Sequence, residues 1–279
     1  LTLITCLFVL PAHAKYSGGT GEPNDPYQIA TAADLIALGE MPNDYDKHFI
    51  LTADIDLDPN LPGRKVFDKA VIAPTGRFSY EYAGIPFTGV LEGKGHTISR
   101  LTIASNSRCF LGLFGYLESG AEVKNLRVVD VRVPDIGASV FPHYVGGLVG
   151  ANYGIVTNCY ITGVVTGVTY VGGIVGYNDG YVDNCRSDVV VAGGANVGGL
   201  MGYNSSVSVS DCVSSGAVTG HDNIGGLVGF NDAGTMSNCV NAATVTANDN
   251  VGGLVGRNSG GMTGCYSTGA VTGNENVGG

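Results

Sequence analysis

One six-residue phrase recurs along this chain and limits what it can fold into. Val-Gly-Gly-Leu-Val-Gly stands at 145–150, VGGIVG at 171–176, VGGLMG at 197–202, IGGLVG at 224–229 and VGGLVG at 251–256, and the phrase opens again at Val277. The steps are 26, 26, 27, 27 and 26 residues. Two more markers keep the same register: Cys159, Cys185, Cys212, Cys239 and Cys265, and Asn152, Asn178, Asn204, Asn231 and Asn258. Three markers in one register imply one structural unit per period. A unit of this size cannot bury an apolar face alone, so stacked coils are the expected solution. A degenerate earlier copy, "FLGLFGYLESGAEVKNLRVVDVRV", starts at Phe110 with Leu126 in the cysteine position, followed by an excursion around Pro134 to His143.

A period of this length can hold a helix, but no helical stripe survives here; β-branched clusters between glycines predict short strands. With 45 glycines in 279 residues and 44% hydrophobic residues, the chain is too apolar for a disordered linker and lacks the collagen period. The unit reads as three short strands joined by turns, one coil of a right-handed parallel β-helix (β-solenoid). Stacking then makes Val145, Val171, Val197, Ile224, Val251 and Val277 a core line. The phrase glycines are expected to supply positive φ at turns and to fill places with no room for Cβ. The Asn after each phrase is expected to take left-handed geometry and to bond its own backbone or the Asn of the next coil. A second polar column, Asn196, Asn223, Asn250 and Asn276, marks the return turn. The five repeat cysteines are expected to be buried free thiols, with one or two strained bridges as the alternative. A line of single cysteines does not converge on a zinc ion.

The first fourteen residues, "LTLITCLFVLPAHA", read as a secretory segment with cleavage after Ala14, leaving Lys15 as the mature start; the basic n-region is absent from this sequence. The other reading is a buried strand or helix. Residues 15–109 read as an N-terminal cap with the first β-helix coils, and 110–279 as the repeats. Within the cap, Thr31 and Asp34 frame one short helix with Leu35 and Leu38 on its apolar edge. "FILTADIDLD" reads as strand, and "FTGVLEGKGHTISRLTI" as strand, glycine turn, strand. The uncovered "VGG" at 277–279 leads to the expectation of further repeats or domains beyond Gly279.

The net charge of −10, from 24 acidic and 14 basic residues, argues against nucleic acid and anionic membrane as partners. No Gly-Lys-Ser/Thr, HExxH or Ser-His-Asp set is present, so no catalytic, cofactor-binding or metal residue is assigned. Asp222, Asp249 and Glu275 read as a solvated acidic edge rather than a calcium stripe. Asp183, Arg186 and Asp188 around Cys185 are the nearest approach to a catalytic break in the columns, and a surface ion pair is the plainer reading. His96, His143 and His221 read as structural.

The phrases GGLVG at 146–150, GGIVG at 172–176, GGLMG at 198–202, and GGLVG at 225–229 and 252–256 resemble the GLUG motif. That motif recurs in bacterial surface proteins, adhesin-like proteins among them, and beside immunoglobulin A peptidase domains. "GGTGEPNDPYQIATAADLIAL" resembles the segment that often precedes such repeats. The resemblance implies a secreted or cell-surface location and no enzyme activity of its own. It leads to the expectation of a structural or adhesive module presenting strand faces to a glycan or to a surface or wall protein. The alternative is the binding or stalk region of a larger glycan-active enzyme or peptidase.

Overall fold

The computed structural model describes residues 15–75, 82–105, 110–134 and 143–279. The secretory segment 1–14, with Cys6, and most of the excursion before His143 lie outside the described residues. Every strand pair is parallel, and residues one period apart are paired in register, as in Val171 with Val145 and Val197. The architecture is a β-solenoid with one short helix near its amino end.

The coils starting at Phe110, Tyr144, Thr169 and Ala195 have four strands rather than the three expected, and in those starting at Asp222 and Asp249 the fourth is split in two. In the coil from Tyr144 the four are Tyr144–Gly146, Val149–Asn152, Ile155–Thr157 and Tyr160–Thr166. Stacking turns these into four walls, numbered one to four in that order. The extra strand comes from the glycine phrase itself. It is a strand, a bend and a second strand, with the bend at its third and fourth residues.

The phrase glycines explain how walls one and two fold onto each other. A Cβ on Gly172 would lie 2.1 Å from the Val175 carbonyl oxygen, and one on Gly176 would lie 2.4 Å from the Val145 nitrogen. These contacts are to backbone, which cannot step aside. Yet no phrase glycine has positive φ. The left-handed positions belong instead to the return-turn column, Asn196, Asn223, Asn250 and Asn276, and to a column not expected, Asn158, Asn184, Asp211 and Asn238.

The Asn after each phrase is not left-handed. Asn152, Asn178, Asn204 and Asn231 are fully buried in extended strands and form an amide ladder. Asn152 Nδ2 donates to Asn178 Oδ1 at 2.8 Å, and Asn178 Nδ2 to Asn204 Oδ1 at 2.8 Å. Asn204 Nδ2 donates to Asn231 Oδ1 at 2.9 Å. The same Nδ2 groups close the next turn, as in Asn178 to the Gly180 carbonyl at 2.8 Å. A buried polar column is tolerated because its groups find partners.

The core line is buried from Val145 through Val251, whereas Val277 in the last coil is exposed. Cys159, Cys185, Cys212 and Cys239 are buried free thiols, and Cys265 is half-buried. Each donates weakly to the carbonyl two residues earlier, as Cys185 Sγ does to Asp183 at 3.2 Å. In the amino-terminal part, wall three begins with Tyr27–Ile29 and His48–Leu51, and wall four with Ile55–Asp56. The helix Ala32–Glu40 carries the expected capping box between Thr31 and Asp34 and buries Leu35 and Leu38.

Candidate functional site

Outward positions of walls one and two carry a continuous sheet of aromatic rings. The residue just before each ladder Asn points out of wall two, giving the column Tyr116, Ala151, Tyr177, Tyr203, Phe230 and Arg257. Tyr177 and Tyr203 stack at 5.1 Å with an interplanar angle of 7°. Tyr203 meets Phe230 edge-on at 5.2 Å, and the Arg257 guanidinium lies 4.8 Å from the Phe230 ring. In-register strands place like rings about 4.8 Å apart, close to stacking distance, so the spacing comes from the solenoid itself.

Wall one adds Phe110, Tyr144 and Tyr170, with centroids 4.9 and 5.2 Å apart. The two walls meet where Tyr144 packs edge-on against Tyr177 at 5.4 Å and Tyr170 against Tyr203 at 5.6 Å. Tyr170 has φ 51° at the return-turn position that is Asn in the next four coils. A bulky residue in left-handed backbone costs about 1–2 kcal/mol. Here that cost places its ring in the aromatic sheet.

One small residue opens this surface. Ala151 stands where neighbouring coils have a tyrosine, and the missing ring leaves a recess of about 530 Å³. Tyr82, Tyr116, Tyr144, Tyr153 and Tyr177 surround it, with Phe110 and Pro86, and Glu118 brings the one carboxylate. Tyr82 stacks on Tyr116 at 4.3 Å and Tyr116 on Tyr153 at 5.1 Å. The Tyr82 hydroxyl reaches the Ile85 carbonyl at 2.8 Å, which fixes its ring. Burial first, then the neighbouring Tyr177 and Tyr116, pushes the Tyr153 hydroxyl well above its usual value. Tyr203 is raised by burial and by its hydrogen bond to Asp232 at 3.0 Å. These hydroxyls stay neutral at physiological pH, giving an apolar floor with a polar rim of donors and acceptors.

Sequence reasoning missed this surface, although its signal is plain once the register is known: Tyr177, Tyr203 and Phe230 each precede a marker Asn. The residues it did single out lie elsewhere. Asp183 accepts from Ser210 Oγ, and among the described residues no ion pair joins Asp183 or Asp188 to Arg186. His96 Nδ1 lies 3.2 Å from Asp54, and His221 Nε2 lies 3.0 Å from Asn248. His143 is buried. Asp222, Asp249 and Glu275 are paired neighbours on wall one. Among the described residues, no three His, Cys, Asp or Glu side chains are grouped to hold a metal.

Comparison with known proteins agrees with the repeat geometry. The family model described as "The GLUG motif" matches residues 142–166, 220–246 and 247–272. The chain contains GLUG motifs and folds as a solenoid. The coils between the first and second GLUG match keep the same register on all four walls. Halomucin of Haloquadratum walsbyi is 32% identical over 149 residues, covering 53% of this chain and 2% of that protein. The "Putative Gly-rich membrane protein" of Evansella cellulosilytica is 33% identical over 151 residues, covering 51% of this chain and 15% of that protein. This GLUG chain thus spans a small part of either relative's length. The crystal structure of a "putative immunoglobulin A1 protease" from Bacteroides ovatus superposes with a TM-score of 0.66 at 19% identity, over 95% of this chain and 87% of that one. At that identity the likeness is one of fold. No helix among the described residues of the GLUG chain is long and apolar enough to cross a membrane.

Proposed function

We propose that this GLUG chain is a non-catalytic secreted or cell-surface module, structural or adhesive, whose aromatic face binds glycan. The observation that carries the reading is the ring sheet with its recess at Ala151. Seven of the 14 tyrosines lie on this face: Tyr82, Tyr116, Tyr144, Tyr153, Tyr170, Tyr177 and Tyr203. A structural role alone needs no such concentration, because the core is already closed by the inward columns. Contiguous exposed apolar surface marks an interaction site. Sugar rings have apolar C–H faces and hydroxyl edges, which match flat rings bordered by phenol hydroxyls.

The test is a neutral-glycan array followed by titration calorimetry on the purified chain and its Tyr153→Ser/Tyr177→Ser variant. A glycan that binds the parent and binds the variant at least tenfold more weakly supports the reading. Absence of binding, or equal binding by both proteins, counts against it. The second reading is that the module is the binding or stalk region of a larger glycan-active enzyme or peptidase. The much greater length of both curated relatives favours it, and it uses the same face.

A further inference from the structure

A second outward column departs from the repeat, on a different part of the coil. The first residue of wall four reads Thr97, Arg127, Tyr160, Arg186, Val213, Val240 and Tyr266 along the solenoid. Two arginines thus flank one tyrosine in three consecutive coils, while the next two coils carry valine. The Arg127 guanidinium lies 4.8 Å from the Tyr160 ring centroid, an arrangement that holds its planar fork in place. Both arginines are exposed, and among the described residues neither makes an ion pair. The nearby carboxylate of Asp54 accepts from the Thr97 N–H at 2.8 Å and lies 3.2 Å from His96 Nδ1.

The column borders a groove. Recesses of about 580 and 530 Å³ share Arg127, Asn158 and Tyr160; Arg186 and Asn184 line the first, Lys94 and Asn125 the second. Its floor is the left-handed Asn column. Asn184 Nδ2 donates to Asn158 Oδ1 at 2.6 Å, and Asn158 Nδ2 to Asn125 Oδ1 at 3.0 Å. The result is a shallow, open groove along the solenoid axis with Lys94, Arg127 and Arg186 beside it and, at its amino end, the Glu92 carboxylate accepting from Asn125 Nδ2 at 3.0 Å, in a chain of net charge −10. Arg127 and Arg186 are two coils apart, so their Cα atoms are separated by roughly 10 Å.

We infer that this groove binds a carboxylate-bearing glycan, a polyuronate laid along the axis with its carboxylates on Arg127 and Arg186 and a sugar ring on Tyr160. The guanidinium fork matches a planar carboxylate through two parallel hydrogen bonds. Two such forks on either side of a flat ring suit anionic groups regularly spaced on a ring-containing chain. The site is independent of the aromatic recess on walls one and two, and it stands or falls separately from the reading of that recess.

The experiment titrates tetragalacturonate into the purified chain at low ionic strength and compares the fully methyl-esterified tetramer. The expected result is saturable binding that weakens with added salt and at least tenfold on methyl esterification. Arg127→Gln/Arg186→Gln should also weaken it at least tenfold, and Arg127→Lys/Arg186→Lys by less, because charge remains but the fork is lost. Tyr153→Ser/Tyr177→Ser should leave it unchanged. Both arginines are exposed, and an unaltered melting curve for the Gln variant shows that loss of binding is not loss of fold. The inference is overturned if the parent does not bind or if the Gln variant binds as well. It is also overturned if poly-glutamate of equal charge competes equally through the same arginines, because the groove would then select charge rather than a uronate chain.

Discussion

The buried amide ladder is the part of this fold whose energetics can be tested most sharply, by Asn178→Ala. Asn178 is fully buried, and its side chain makes three contacts at 2.8 Å: to Asn152 Nδ2, to Asn204 Oδ1 and to the Gly180 carbonyl. Alanine removes all three and brings no donor or acceptor. Each buried polar group left short of a partner costs about 1–3 kcal/mol. The neighbouring amides keep their own turn bonds, so the expected destabilisation is about 4 kcal/mol, toward the lower end of the summed range. Asn258 makes the same turn bonds, to Gly260 at 2.9 and 3.3 Å, but in an exposed coil. Asn258 also accepts from the buried Asn231 Nδ2 at 2.7 Å, a group that keeps its bond to the Gly234 carbonyl; water replaces the exposed partners, and Asn258→Ala should cost about 1–2 kcal/mol. Urea and thermal unfolding of both variants, followed by circular dichroism, give the comparison, with melting midpoints lowered by ~8–16 °C and by a few degrees respectively. A solenoid can unfold in segments, so amide exchange at Gly180 and Asn204 should accompany the melts. Equal, small effects at both positions would refute the ladder as a source of stability and leave it a consequence of strand register.

Two further outcomes follow from the packing and the tyrosines. Gly229→Ala should prevent normal stacking of two coils, because its Cβ would lie 2.4 Å from both Asn196 C and Val197 N. Gly63→Ala, with φ 74° and nothing within 4 Å, should cost only about 1–2 kcal/mol, and equal thermal stability of the two variants would contradict the account given for the phrase glycines. Tyr16 and Tyr153 have folded-state pKa values raised above the unfolded value of about 10, first by burial. Their stabilising contribution is therefore complete below pH ~10 and is lost as pH rises through and above it, since the unfolded chain releases those protons first. Phenolate absorbance of the native protein should lag that of the urea-unfolded chain, and coincident titration curves would contradict this.

The fold class was legible in the sequence because three markers shared one period, and a shared period constrains stacking more tightly than any local propensity. Strand count was not legible. A phrase such as VGGLVG reads as one apolar strand, and its bend is created only when Gly172 and Gly176 meet backbone from the other arm and from the adjoining coil. The coil-to-coil bonds of the asparagines after each phrase are those expected, but their backbone was misread for a related reason. Asn tolerates left-handed backbone, yet the column after each phrase is extended and buried. The left-handed column instead precedes the cysteines as Asn158, Asn184, Asp211 and Asn238, with Gly264 in the same place at φ 65°. That series of Asn, Asp and Gly before cysteine is the sequence signal for such a turn.

Both proposed binding surfaces were harder to see because they consist of departures from the repeat, whereas a search for repeats attends to what stays constant. The inward columns fix the backbone of every coil, so outward positions are free to vary without cost to the fold. Each outward substitution then appears in a fixed lattice, about 4.8 Å from its neighbours along the axis. Ala151 matters only because Tyr116 and Tyr177 flank it, and Arg186 only because Tyr160 and Arg127 precede it. On wall one the ring series ends at Tyr170, and the next coils carry Asn196, Asn223 and Asn250 in its place, so the part of the sheet where rings cover both walls is bounded within the solenoid. A surface bounded in this way has the extent of a short ligand, not that of the whole rod. That is the physical reason to assign recognition to particular coils and to treat the remainder as the frame that holds them in register.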